Sequence, residues 1–185
     1  ALDYAILVVG ANDGVQGHTE TLWRLLDRYD IPAFIFVNKM DLENPGREAV
    51  AAELRRRLGE GCLDAEKLLA EGPAQEDAAA LDERALEEYL DKGSLSMPTL
   101  RRLVRERALF PCFYGSALKN EGVDDFLDGI GKLVEERSWL GDFAARVYRV
   151  SHGDRGERLA WLKVTGGVLR AKQPMEGVTA SEAWR

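Results

Sequence analysis

The chain has 185 residues, 45% of them apolar, and a formal net charge of −7. That length holds one domain or one domain with part of another, and the acidic balance excludes a general coating of nucleic acid. Two cysteines, Cys62 and Cys112, cannot build a disulfide framework and fit a reducing cytoplasmic compartment, while no apolar run approaches the roughly 20 residues of a membrane span.

"ALDYAILVVG" opens without methionine and moves at once into a buried strand, Tyr4 to Val9, the opening expected of a piece of a longer protein. "QGHTETLWRLLDRYD" follows with Leu22, Leu25, Leu26 and Tyr29 at helical spacing. "IPAFIFV" is a continuous apolar run, as a strand covered on both faces requires. Strand, helix and strand at these lengths predict a parallel βαβ unit.

Residues 43–108 change character and predict a helical insertion at the edge of the domain. Asn44 is a candidate N-cap, Pro45 a first-turn residue and Gly59 a stop for one helix. "LDERALEEYLDKGS" and "MPTLRRLVRERA" are two more, and the polar "EGPAQEDAAA" before them reads as a mobile loop. On this reading the insertion can be trimmed and leave the strands folded. The sheet resumes at "LFPCFYG", Leu109 to Tyr114, followed by a helix with Val123, Phe126, Leu127, Ile130, Leu133 and Val134 on one face. "SWLGD" is a linker, and "FAARVYRVS" and "RLAWLKVT" are strands opening a β module over 141–185. That last stretch carries 8 basic and 5 acidic residues, an excess compatible with one face meeting RNA.

The candidate site lies at "VNKMD", where the second strand runs out into Asn38, Lys39 and Asp41. A guanine edge presents two N–H donors beside a carbonyl acceptor, and one carboxylate takes both donors as a bidentate pair. Asp41 has that chemistry. Asn38 can donate to ring acceptors and tie neighbouring loops, and the apolar stem of Lys39 can lie over the base. By itself the quartet is a moderate signal, and an ordinary loop after a strand is the plain alternative. Its position at the carboxyl end of a predicted parallel strand is where open α/β sheets bind ligands. "GSAL" (Gly115, Ser116, Ala117, Leu118) follows the next strand in the same way, with main-chain N–H groups for the base carbonyl.

Residues 1–140 resemble the second half of a translational GTPase domain. "DYAILVVGANDGVQGHT", "VNKMD" and "GSALKNEGVDDFLD" are similar to the strand after switch II and the two base-contacting motifs, and "FAARVYRV" is similar to the start of the β-barrel domain of elongation factor G and its relatives. The 77-residue separation of Asn38 and Gly115 is most like that in tetracycline-resistance ribosomal protection proteins. The resemblance implies an α/β fold: a partial P-loop-GTPase-like parallel sheet with a helical insertion, then a partial β-barrel. It implies guanine-binding roles for Asn38, Lys39, Asp41, Ser116, Ala117 and Leu118. It also implies GTP or GDP with magnesium in the parent protein, and the ribosome, through rRNA and ribosomal proteins, as partner. A cytoplasmic monomer away from membranes is the expectation.

The phosphate-binding string GxxxxGK[ST] and the DxPGH of switch II do not occur in the sequence, so no catalytic or metal-binding residue is assigned and the chain by itself is expected to be inactive. "DGIG" at Asp128 falls inside a helix and is read as coincidence, His18 and His152 are read as surface or helix-start residues, and "LRAKQ" replaces the family's Leu-x-x-Gly-Asp turn. Two alternatives stay open. One is a non-catalytic ribosome-docking scaffold. The other is a dinucleotide-binding oxidoreductase domain, drawn from Gly10, Gly14 and Gly17, whose spacing fits neither GxGxxG nor GxxxGxG and suits a plain turn.

Overall fold

The computed structural model describes residues 2–43, 45–70, 73–135 and 141–171. They form two units, divided after Glu135. The first unit is built on a four-stranded parallel sheet of β1 (Ala5–Gly10), β2 (Ala33–Asn38), β4 (Phe110–Tyr114) and β3 (Cys62–Asp64), in that spatial order. The α/β fold class and the three parallel strands expected from sequence are present.

Alternation along β2 explains its unbroken apolar run. Phe34 and Phe36 enter a core on one face, while Ala33, Ile35 and Val37 enter a second core on the other. β1 is not fully buried as expected. It lies at the sheet's edge, with Leu7 and Val9 inside and Ile6 and Val8 51% and 58% exposed. The buried face of α1 (Gly17–Arg28) also differs from expectation: Leu22, Leu25 and Tyr29 are exposed, and Trp23 is the anchor. Its ring meets Phe110 edge-on at 4.5 Å, and its Nε1 donates to the Leu58 carbonyl at 2.8 Å. A buried indole needs such a partner for its N–H.

The insertion is more than helical. α2 (Arg47–Leu58) starts at Gly46, so Pro45 precedes the helix, and Asn44 lies outside the described residues. β3 then pairs in parallel with β4, a strand that three residues are too short to announce. α3 (Ala65–Leu69) is capped by the Asp64 carboxylate. "EGPAQEDAAA", expected to be a loop, contains α4 (Pro73–Ala79). Gln75 is buried there: its Nε2 donates to the Leu68 carbonyl at 3.1 Å and its Oε1 accepts from Leu95 N at 2.9 Å. α5 (Glu83–Lys92), ending at left-handed Gly93, and α6 (Met97–Arg105), opened by Pro98, follow expectation. Leu68, Ala78, Ala79, Leu100, Leu103 and Val104 share one core with Phe34, Phe36, Phe113 and Phe126. The insertion therefore shares the core on one face of the sheet, which argues against its being a separable appendage.

Glu88 links α5 to α6. It accepts from the Thr99 hydroxyl, the Ser96 N–H at 3.3 Å and Lys92 Nζ at 3.2 Å. The Thr99 bond, above all, lowers its pKa from an ordinary 4.5 to about 2. A depressed carboxyl pKa adds stability above the unfolded value that is lost as pH falls toward the folded one. Thr99→Val should therefore weaken the protein at pH 7 and flatten its loss of stability between pH 4.5 and 2, read from urea midpoints at each pH.

α7 (Val123–Leu133) buries Phe126, Gly129 and Leu133, while Leu127 faces solvent, contrary to expectation. A Cβ on Gly129 would fall 2.4 Å from the Phe113 ring, so glycine permits this close helix–sheet contact. "DGIG" does lie within α7, and His18 sits exposed in the first turn of α1. In the second unit, β5 (Ala144–His152) and β6 (Arg158–Gly166) form an antiparallel hairpin with a register shift between Val147 and Arg149. His152 is exposed at the end of β5. Most of the expected linker, and the end of "LRAKQ", lie outside the described residues.

Candidate nucleotide-base site

β2 and β4 are adjacent and parallel, with Val37 level with Tyr114, so their carboxyl ends open side by side. The Gly115 N–H donates to the Val37 carbonyl at 2.9 Å, and the Met40 N–H donates to the Gly115 carbonyl at 3.1 Å. Gly115 is obligatory: a Cβ there would lie 2.2 Å from the Glu121 carbonyl oxygen. Beyond it, Ser116 and Glu121 exchange main-chain hydrogen bonds at 2.9 and 3.0 Å, closing the second loop on itself.

Asn38 joins the two loops. Its Oδ1 accepts from Lys39 N at 2.8 Å and from Ala117 N at 2.9 Å. Lys39 takes the left-handed conformation (φ 65°), which turns the chain sharply off the strand. Its Nζ lies 3.3 Å from Asp13 Oδ2, on the loop after β1. Asp41 comes next, with a carboxylate only 7% exposed. The Ser116 hydroxyl donates to it and holds its pKa below the usual carboxylate value, and Lys119, with Nζ at 3.7 Å, adds to the effect. The Ser116 Oγ also accepts from Lys119 N at 3.3 Å.

The structure thus brings together Asn38, Lys39, Asp41, Ser116 and Ala117, though not in equal roles. The buried Ser116 orients Asp41, and the Ala117 N–H, expected to be free for a ligand, is engaged by Asn38. Leu118 is 91% exposed, and its N–H has no acceptor among the described residues. Asp13 and Lys119 escaped the sequence reading. Lys119 adjoins "GSAL", but Asp13 lies 26 residues from its partner, and no local periodicity links the two. A cavity of 410 Å³, lined by Arg47, Phe113, Tyr114 and Lys132 among others, lies elsewhere. Among the described residues, no group of three or more His, Cys, Asp or Glu side chains is placed to hold a metal ion. Gly10, Gly14 and Gly17 carry the chain from β1 into α1, with Gly14 at φ 64°.

Residues 1–136 match the model of the elongation factor Tu GTP binding domain. Over 91% of its length the chain is 32% identical to the oxytetracycline resistance protein of Streptomyces rimosus. It is 30% identical over 92% of its length to the tetracycline resistance protein TetW of Butyrivibrio fibrisolvens, and in each case it covers 29% of the relative. A crystal structure from Thermus thermophilus superposes with a TM-score of 0.70 at 23% identity, over 89% of this chain and 32% of that one, and shares the fold. The chain thus spans under a third of the length of these relatives, and none of the matches favours an oxidoreductase. The match over 136 residues, which spans the loops at the ends of β2 and β4, shows that the chain belongs to the elongation factor Tu GTP-binding domain family.

Proposed function

We propose that this chain supplies the guanine-recognition loops of a GTP-hydrolysing translation factor acting on the ribosome, of the tetracycline-resistance ribosomal protection kind. The names of its relatives support the class. The observation that carries the base assignment is Asp41: a sheltered carboxylate kept ionised by Ser116 and Lys119 at the mouth of two parallel strands. Such a group takes the two N–H donors of guanine and repels the acceptor that adenine places there. The Leu118 N–H, beside the Ala117 N–H shared with Asn38, meets the base carbonyl. The Lys39 stem lies along the ring face. The parent is read as a cytoplasmic monomer, and among the described residues no helix is long and apolar enough to cross a membrane.

The chain's division into residues 1–140, with the insertion at 43–108, and a β-barrel start at 141–185 is part of the same proposal. Phosphoryl transfer needs cradled phosphates, magnesium and a positioned water. The sequence holds no GxxxxGK[ST], and among its described residues no group of three or more His, Cys, Asp or Glu is placed to hold a metal ion, so no step is assigned to the metal here. Phosphate release from GTP by the 185 residues alone should equal the buffer rate. Turnover that disappears in Asp41→Ala would show phosphate ligands among these residues. Competition of GDP and ADP for the full-length protein tests the base assignment directly.

A further inference from the structure

We infer that Asp13 is a positioning residue of the base site, acting through Lys39; the inference rests on the base reading above. Asp13 Oδ2 lies 3.3 Å from Lys39 Nζ, an ion pair between the loop after β1 and the loop after β2. Lysine has a flexible four-carbon stem, and held at one end only it samples many rotamers. Held at both ends, with its Cα fixed in the left-handed conformation by the Asn38 turn and its ammonium fixed by Asp13, the stem is drawn across the gap between the loops. A stem restrained in this way is a preformed apolar shelf for a planar ring.

The loop that presents Asp13 is itself clamped. The Ala11 N–H donates to the Asn38 carbonyl at 2.9 Å, and the Gly14 N–H to the Gly10 carbonyl at 2.9 Å. A Cβ on Gly10 would lie 2.7 Å from Asp13 Oδ2, so glycine leaves room for the carboxylate to fold back over the strand end. From α2, Glu53 Oε1 accepts from Val15 N at 3.1 Å. Asp13 thus hangs from a loop pinned at both ends, and Lys39 is the cation it faces.

The test is a double-mutant cycle on GDP affinity in the full-length protein, using Asp13→Ala, Lys39→Met and the pair. Lys39→Met keeps an apolar stem and removes the ammonium. Exposed ion pairs are modest, so Asp13→Ala should weaken GDP about twofold to fivefold, and XDP by the same factor, because a stem against the ring face does not read the base edge. The double variant should bind no more weakly than Lys39→Met. Asp13→Asn should fall with Asp13→Ala, and 1 M KCl should narrow the gap from wild type. Wild-type affinity in Asp13→Ala, or losses that multiply in the double variant, would overturn the inference. Asp41→Asn in parallel separates the two levels: if it shifts preference toward xanthine while the cycle shows no coupling, only the inference fails. If it shifts nothing, the base reading falls and the inference with it.

Discussion

Asp41→Asn in the full-length protein should weaken GDP about tenfold to a hundredfold and strengthen XDP by a similar factor. Xanthine keeps the ring N–H of guanine but places a carbonyl where guanine has its amino group. Aspartate sets acceptor against that carbonyl, whereas asparagine accepts from the ring N–H and donates to the carbonyl. The same asparagine turns a clashing donor toward the guanine amino group. The sheltered position of Asp41 makes the mismatch costly, since little water reaches it. The alternative is that Asp41 only braces the second loop, through Ser116 and Lys119. In that case both nucleotides weaken together and the melting temperature falls. Titrations of GDP and XDP against wild type and variant, with melting curves, distinguish the two results.

Leu103→Ala should destabilise the first unit by about 2–5 kcal/mol, a large share of the roughly 5–15 kcal/mol that holds a domain together. Leu103 is fully buried on α6 and belongs to the core shared by the insertion helices and the sheet residues Phe34, Phe36 and Phe113. Its carbonyl also accepts from Ala108 N at 3.0 Å and Leu109 N at 3.1 Å, at the turn into β4. Truncation leaves a cavity where the insertion meets the sheet, with few neighbours free to collapse into it. Removing residues 43–108 altogether takes away β3 and most of this core, and the remainder should lose its cooperative urea transition. A Leu103→Ala variant within about 1 kcal/mol of wild type would show that the insertion folds apart from the sheet.

The strands were readable where burial on both faces leaves an unbroken apolar run, as at Phe34–Val37 and Phe110–Phe113. β1 differs because Ile6 and Val8, as apolar as Leu7 and Val9, point to a face that the described residues of this chain leave exposed. The α4 segment misled for the opposite reason. Its polar letters include Gln75, whose buried amide serves the end of α3 and the loop before α6, bonds that depend on tertiary structure. At the site, Asn38 and Asp41 stood out as polar residues closing an apolar strand. Their partners did not: Asn38 reaches Ala117 across 79 residues, and Lys39 reaches Asp13 across 26.

Guanine recognition by the two loops is tested most directly by one competition experiment. Full-length wild-type protein is loaded with a fluorescent GDP analogue and titrated with unlabelled GDP or ADP. With Asp41 facing the base edge, GDP should displace the probe at concentrations lower than ADP by a factor on the order of 10⁴. Displacement by ADP and GDP at the same concentration would contradict the assignment of Asn38, Lys39, Asp41, Ser116, Ala117 and Leu118 to a guanine site.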